Sequence, residues 1–330
     1  MAEIFPVINT TLSPDVLGRL IQQKYGLSDK TECHIFRLAM NHLYIVHHGG
    51  DRYVFRVYTH QWRSRLEIAE ELRLLTLLKE ADRPVAFPVA DRSGTCIQEI
   101  EAPEGKRFGV LFSYAKGIKT AKFSAETSFL IGQALAKVHQ STENLELQRM
   151  SYHAQNLLRN PVARIKAFYH QNISETGFLE SLSRFLAVKM EAVDPQYMRY
   201  GAVHLDVWFD NLHIDDEKHV TFFDFDFCGN GYLCLDISYF LFQLFATHLN
   251  EAEYEAKAAA FIKGYETVTE ISNEEKKFLP YGCLAIMTYY ISVQCDRFDY
   301  WTNIFLNEDH LKRMTGNLKR WMAYHKIEIE

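Results

Sequence analysis

The sequence is 330 residues long, which exceeds the size of one ordinary hydrophobic core and predicts two domains or lobes. Apolar residues make up 48% of the chain and charged residues 24%, as in globular proteins that fold in water. The net charge of −6 gives no sign of the concentrated basic face that nucleic-acid binding requires, so we expect no nucleic-acid partner.

The six cysteines are scattered along the chain without the CxxC spacing of zinc or redox motifs. This pattern favours buried thiols in a reducing compartment. The first residues lack the basic and then apolar run that is typical of a signal peptide. No apolar run approaches the roughly 20 residues that cross a bilayer. We therefore expect a cytoplasmic protein with no membrane partner.

Residues 1–113 are predicted to form a small lobe built on an antiparallel sheet. A helix is expected to begin after Ser13 and to end at Gly26. Two β-rich runs then flank the turn residues 49–51, which predicts a hairpin. An amphipathic helix follows the hairpin, and two further strand-like runs are separated by the turn residues 103–105.

Residues 114–117 are predicted to form a hinge, and residues 118–330 a larger and mainly helical lobe. The stretch 203–227 is the strand-rich part of this second lobe. An α+β fold is therefore expected. Helices are predicted within the second lobe over 235–265, 273–300 and 308–325.

The strand-rich stretch reads "VHLDVWFDNLHIDDEKHVTFFDFDF" and carries acidic and amide side chains among apolar ones. Asn211 follows Asp206 by five residues, and Asp224 follows after a second β-rich run. A strand–loop–strand arrangement would bring these oxygen atoms together, and oxygen atoms are the ligands that Mg²⁺ prefers. Alternation on a strand would place Asp226 on the same face as Asp224. Phosphoryl-transfer enzymes use this set: an Asp base, an Asn metal ligand and a second Asp metal ligand.

The segments "HLDVWFDN" and "FFDFDFCGNGYLCLDIS" resemble the aminoglycoside phosphotransferase/choline kinase family. They look most similar to the branch with homoserine kinase-type proteins and bacterial stress-response kinases. The resemblance implies a protein-kinase-like fold and transfer of the ATP γ-phosphoryl group to an acceptor hydroxyl. It implies that Asp206 is the catalytic base, that Asn211 and Asp224 hold Mg²⁺, and that Asp226 contacts the metal or the substrate.

The resemblance extends to the small lobe, where "NHLYIVHHGGDRYVFRVY" looks like the nucleotide loop and hairpin of the family. It implies that ATP is contacted by the following residues: Asn41 at the loop end, Arg56 at the phosphates, Glu71 as the partner of Arg56, and the backbone of Ser113, Tyr114 and Ala115 at the adenine. A surface salt bridge between Arg56 and Glu71 is the alternative interpretation of that pair.

Three positions depart from the family pattern. Leu205 replaces the usual Gly beside the base, and Arg56 stands where many relatives have Lys. Arg remains cationic, but its planar fork requires a different geometry. The loop "FRLAMNHLY" contains no glycine, so Ala39 and Met40 must adopt a turn that glycine would adopt more easily.

The acceptor is expected to be a small molecule with a hydroxyl group. The segment "QCDRFDYW" combines Asp296 and Asp299 with aromatic residues, which would suit a cationic or hydroxylated acceptor. Two alternatives stay open from the sequence. One is a protein Ser/Thr kinase of the stress-response type with a protein substrate, and the other is a nucleotide-binding pseudokinase without turnover.

Overall fold

The chain divides into two compact units. The computed structural model describes residues 5–169, 173–216, 218–247, 250–300 and 305–329. The sheet unit contains the described residues of 1–80, 85–115 and 297–302, and the helical unit contains those of 81–84, 116–296 and 303–330. The segment 297–300 thus belongs to the sheet unit, whereas the sequence pattern places it in the helical lobe.

The sheet unit is built on a five-stranded antiparallel sheet, as the sequence predicts, with the strand order β1-β2-β3-β5-β4. The strands are β1 (Glu32–Leu38), β2 (Asn41–His48), β3 (Asp51–Tyr58), β4 (Ile97–Ala102) and β5 (Gly105–Ser113). The helices of this unit are α1 (Pro14–Tyr25) before the sheet and α2 (Arg65–Glu80) after β3.

The predicted hairpin joins β2 to β3. Gly49 and Gly50 have φ angles of +60° and +93°, which glycine adopts without a steric penalty. Alternation along β2 buries Tyr44, and Phe55 lies opposite it on β3 and is also buried. Both belong, with Ile21 of α1, to the hydrophobic core of the unit.

Helices dominate the helical unit. They are α3 (Ala125–Thr142), α4 (Asn160–Phe168), α5 (Ser174–Glu191), α6 (Cys234–Thr247), α7 (Glu251–Glu266), α8 (Asn273–Asp296) and α9 (Glu308–Tyr324). Two short antiparallel pairs supply the strands: β6 (Tyr200–Val203) with β9 (Gly229–Tyr232), and β7 (Leu212–Ile214) with β8 (Val220–Phe222). Within the described ranges, no helix is long and apolar enough to cross a membrane.

Two of the predicted helices have different bounds in the structure. The range 235–265 holds two helices, because Asn250 starts α7 by accepting a hydrogen bond from the Glu253 amide at 3.2 Å. The range 273–300 holds a helix that ends at Asp296, and a 3₁₀ turn over Phe298–Tyr300 follows it.

Helices α3 and α7 approach each other closely through glycine residues. A Cβ atom added to Gly132 would lie 2.1 Å from the carbonyl oxygen of Phe261. A Cβ atom added to Gly264 would lie 2.0 Å from the carbonyl oxygen of Phe129. Real Cβ atoms do not approach backbone this closely, so the two helices could not keep this distance with larger residues at these positions.

Gly132→Ala should therefore lower the free energy of unfolding by about 1–3 kcal/mol through overpacking. Gly316→Ala in α9 is the matched control, because no atom lies within 4 Å of its added Cβ. This control should raise the free energy of unfolding by about 0.5–1 kcal/mol through the better helix propensity of alanine. Urea denaturation measures both values. An equal response of the two variants would contradict the close approach of α3 and α7.

Candidate active site

Asn211 and Asp224 lie at the same end of the β7–β8 pair. Leu212 pairs with Phe222 in the antiparallel register. Just beyond this pair, the Phe223 amide donates a hydrogen bond to the Asn211 carbonyl oxygen at 3.0 Å. The strand–loop–strand arrangement expected from the sequence therefore brings the chain before β7 next to the chain after β8.

A hydrogen bond joins Asp206 to Asn211. The Asn211 side-chain nitrogen Nδ2 donates to the Asp206 carboxylate oxygen Oδ2 at 2.6 Å and to the Asp206 carbonyl oxygen at 3.0 Å. Asn211 is buried, so these two bonds fix the orientation of its amide group. Its oxygen Oδ1 is then the atom that a cation would meet.

The Asp206 carboxyl group lies in desolvated surroundings and close to another acid. Burial raises the pKa of Asp206 to about 7, and the negative charge of Asp224 acts in the same direction. Side-chain hydrogen bonds from Tyr239, Asn211 and Tyr290 partly offset this rise in pKa. The two tyrosines were not among the predicted site residues. Tyr239 carries a signal that could have revealed it, because it lies one helical turn after Asp236 on α6.

The expected strand alternation at Asp224 and Asp226 is wrong. Strand β8 ends at Phe222, and Asp224 adopts a left-handed conformation with φ +64° and ψ +60°. A 3₁₀ turn over Phe225–Phe227 follows and contains Asp226, which is buried. The left-handed residue turns the chain away from the strand direction, so period-two alternation does not relate these two side chains.

The donor set of this region suits a magnesium ion. Asp206 and Asp224 are both partly exposed and lie close enough for the charge of Asp224 to raise the pKa of Asp206, and a divalent cation would offset this repulsion. Across the described residues, no group of three or more His, Cys, Asp or Glu side chains could hold a metal by itself. Mg²⁺ fits this partial set because it usually binds through one or two carboxylates and keeps water and phosphate oxygens as its other ligands.

The backbone before Asp206 is held by Asp236, at the start of α6. The Asp236 carboxylate accepts hydrogen bonds from the amides of His204 at 2.9 Å and Leu205 at 2.6 Å. His139 of α3 lies 3.1 Å from the same carboxylate and 2.7 Å from the Tyr265 hydroxyl. This buried network fixes the loop that carries Asp206.

Leu205 adopts a left-handed conformation with φ +66°. This explains why the family usually has glycine here, since glycine reaches that region without strain. A non-glycine residue pays roughly 1–2 kcal/mol for it. Complete burial of the Leu205 side chain contributes about 1.5–3 kcal/mol in the opposite direction. The departure from the family pattern is thus compatible with the same loop conformation.

In the sheet unit, Arg56 of β3 and Glu71 of α2 form a buried ion pair. Arg56 Nη1 donates to Glu71 Oε1 at 2.7 Å, and the Tyr58 hydroxyl donates to Glu71 Oε2 at 2.9 Å. The Arg56 guanidinium carbon lies 4.8 Å from the centre of the Phe112 ring. The pair is the one that the resemblance implies, and it is buried rather than on the surface. A phosphate contact by Arg56 remains a prediction.

The other predicted nucleotide contacts lie on strand ends of the same unit. Asn41 is the buried first residue of β2. The Ser113 amide donates to the Phe87 carbonyl oxygen at 2.9 Å, so this donor is already used inside the unit. Tyr114 stacks its ring 4.2 Å from the Arg52 guanidinium carbon, and Ala115 is buried. Adenine contacts by this segment remain a prediction.

The two acidic residues predicted for the acceptor lie in different units. Asp296 ends α8 in the helical unit and forms an ion pair with Arg164 at 3.4 Å. Asp299 is exposed in the 3₁₀ turn of the sheet unit. Trp301, the last residue of the same motif, lies outside the described residues. The structure therefore gives Asp296 a local partner within the helical unit and assigns Asp299 to the sheet unit.

Residues 38–271 match the family model described as "Phosphotransferase enzyme family". The chain is 30% identical over 284 residues to an uncharacterized protein of Synechocystis sp., which covers 84% of this chain and 76% of that protein. It is 24% identical over 274 residues to a homoserine kinase of Bradyrhizobium diazoefficiens, which covers 82% of this chain and 77% of the kinase.

A solved amicoumacin kinase, in complex with AMP-PNP and Ca²⁺, matches the fold with a TM-score of 0.77 at 19% identity. The match covers 95% of this chain and 94% of that kinase. The chain belongs to the phosphotransferase enzyme family. The family resemblance, the protein-kinase-like α+β fold and the phosphotransferase class predicted from the motifs are confirmed.

The buried pair in the sheet unit leads to a stability prediction. Glu71→Gln removes the negative charge that lies 2.7 Å from the buried Arg56 guanidinium, so the free energy of unfolding should fall by about 3–5 kcal/mol. Glu99→Gln is the matched control, because Glu99 pairs with Lys106 at 2.7 Å on the exposed side of the same unit. This control should change the free energy of unfolding far less, because water screens an exposed ion pair.

Chemical denaturation of both variants measures the difference. Similar losses for the two variants would show that the Arg56–Glu71 pair is not desolvated as its burial indicates.

Proposed function

We propose that this protein transfers the γ-phosphoryl group of ATP to a hydroxyl group of a small molecule. The observation that carries the proposal is the Asp206–Asn211 hydrogen bond of 2.6 Å beside Asp224, at one end of the β7–β8 pair. Family membership and the fold shared with a kinase that binds AMP-PNP support it. In this proposal Asn211 and Asp224 hold Mg²⁺, and the buried Asp226 contacts the metal or the substrate.

The acceptor class follows from the named matches. The kinase relative is named for homoserine and the structural match for amicoumacin, which are both small molecules. These names give no support to a protein substrate, so we propose a small hydroxyl compound. Homoserine and related amino alcohols are the first acceptors to test, and Asp296 and Asp299 are separate candidates for a contact to the cationic group.

The chain's own residues would act by positioning and by accepting one proton. A carboxylate oxygen of Asp206 would orient the acceptor hydroxyl and take its proton as the new oxygen–phosphorus bond forms. The bond from the γ-phosphorus to the bridging oxygen breaks, and ADP leaves with that electron pair. Bound Mg²⁺ would neutralise charge on the phosphate oxygens.

The sheet unit would supply the nucleotide contacts. Glu71 holds Arg56 at 2.7 Å, which would pre-orient the guanidinium for phosphate oxygens. Asn41 at the start of β2 and the backbone at Tyr114 and Ala115 would complete the contacts to ATP. Because the Ser113 amide already bonds within the unit, its contribution would be limited to its carbonyl oxygen.

We also propose that the protein works in the cytoplasm. The six cysteines are free thiols, and most of them are buried. Free thiols persist in a reducing compartment. The cytoplasm is also where a kinase of small metabolites meets ATP.

Turnover with Mg·ATP and a panel of small hydroxyl acceptors tests this function. ADP release should depend on the acceptor and should disappear when EDTA removes the metal. Asp206→Asn should lower the rate by about 10²-fold or more through loss of the base. Asp210→Asn is the matched control, because Asp210 lies in the same loop but pairs with Lys119 at 3.0 Å. This control should retain most of the activity.

Each contrary outcome has a distinct meaning. Full activity of Asp206→Asn would contradict the role of Asp206. Binding of Mg·ATP without turnover on any acceptor would favour a nucleotide-binding pseudokinase. Failure to bind Mg·ATP at all would overturn the proposed function.

A further inference from the structure

The turn between β1 and β2 keeps its shape without glycine. It consists of Ala39 and Met40, and the Ala39 amide donates to the Asn41 carbonyl oxygen at 3.2 Å inside the turn. The Met40 carbonyl oxygen accepts a hydrogen bond from the Thr59 hydroxyl at 2.8 Å. Thr59 is buried directly after β3, so the bond anchors the turn to the body of the sheet.

The Thr59 hydroxyl is itself held by Arg297, which lies 238 residues further along the chain. Arg297 Nη2 donates to Thr59 Oγ1 at 2.6 Å, and the arginine is 5% exposed. Its guanidinium carbon lies 4.1 Å from the centre of the Tyr300 ring and 5.0 Å from the centre of the Trp62 ring. A cation between two aromatic rings is confined in position and direction.

The segment that carries Arg297 is itself fixed to the sheet unit. The Asn9 side chain donates to the Tyr300 carbonyl oxygen at 3.2 Å. Asn9 also lies 3.5 Å from a ring nitrogen of His42, at the start of β2. The Trp62 amide donates to the Thr59 carbonyl oxygen at 3.2 Å, which fixes the second ring. The groups that contact Arg297, namely Thr59, Trp62 and Tyr300, therefore all belong to the same unit.

We propose that Arg297, acting through Thr59, is a positioning residue for the nucleotide phosphates. The inference rests on the proposed function, in which the β1–β2 turn approaches ATP. A hydroxyl that accepts a bond from a cation becomes a stronger donor, so Arg297 strengthens the hold of Thr59 on Met40. The Ala39 amide is used inside the turn, so in this proposal the Met40 amide is the donor for a phosphate oxygen.

The test compares the affinity for two probes that share adenosine but differ in phosphates. Thr59→Val removes the hydroxyl and keeps the shape of the side chain, and Arg297→Met removes the charge and keeps its length. Each variant should raise the Kd of Mg·AMP-PNP about tenfold. A tenfold change in Kd corresponds to about 1.4 kcal/mol, which is the contribution of one hydrogen bond. The Kd of adenosine should stay within about twofold of the wild type, since adenosine has no phosphate. Arg297→Lys should recover part of the lost affinity.

Thr31→Val is the matched control. Thr31 is also buried in the sheet unit, and its hydroxyl donates to the Ser28 carbonyl oxygen at 2.7 Å. It should leave both Kd values unchanged. Isothermal titration of the full chain measures all values, and thermal denaturation shows that each variant is folded at the temperature used.

The outcomes separate this inference from the proposed function. Weaker binding of Mg·AMP-PNP alone supports the positioning role. Equal weakening for both probes, or an equal effect of Thr31→Val, would show a general loosening of the sheet unit and overturn it. Unchanged binding by the Thr59 and Arg297 variants would also overturn it while the proposed function stands. A wild-type protein that binds adenosine and Mg·AMP-PNP no better than a buffer blank would overturn both.

Discussion

Asp236 accepts hydrogen bonds from two consecutive backbone amides, and the conformation of the predicted catalytic loop depends on this interaction. The amides belong to His204 and Leu205, at 2.9 and 2.6 Å. Hydrogen bonds to a charged group contribute about 1.5–3 kcal/mol each. Two of them exceed the roughly 1–2 kcal/mol that the left-handed Leu205 costs. The strained conformation of Leu205 is therefore stable. Asp206 is the next residue in the chain, and its carboxylate accepts the hydrogen bond from Asn211.

The two units differ in the charges that they place close together: the sheet unit pairs opposite charges, and the helical unit brings two acids together. In the sheet unit, the opposite charges of Arg56 and Glu71 lie 2.7 Å apart and offset each other. In the helical unit, Asp224 raises the pKa of the neighbouring Asp206, after the larger effect of burial. Two acids so close together disfavour the state in which both are ionised, and such clusters are common at functional sites. This contrast agrees with the cation site that we propose for the helical unit.

The sequence predicted the hairpin and the strand–loop–strand arrangement that places Asn211 and Asp224 at one end of the β7–β8 pair, because both follow from local strand pairing. It could not predict the left-handed backbone at Asp224, because alternation describes faces of a regular strand and not the point where the strand ends. It also missed Tyr239 beside Asp206, since an aromatic residue on an apolar helix is usually part of the core. The ion pair of Arg56 was predictable only through the family resemblance.

The glycine-free turn depends structurally on the position of Arg297. Glycine lets a turn approach a ligand, but it also leaves the turn free to move, and that freedom is lost on binding. A turn of Ala39 and Met40 has fewer conformations and needs an external contact to select the right one. Thr59 supplies that contact, and Arg297 fixes Thr59 from a distant part of the sequence. We infer that the hydrogen bonds from Arg297 to Thr59 and from Thr59 to Met40 pre-organise the turn. The placement of 297–300 in the sheet unit thereby compensates for the absence of glycine from the turn.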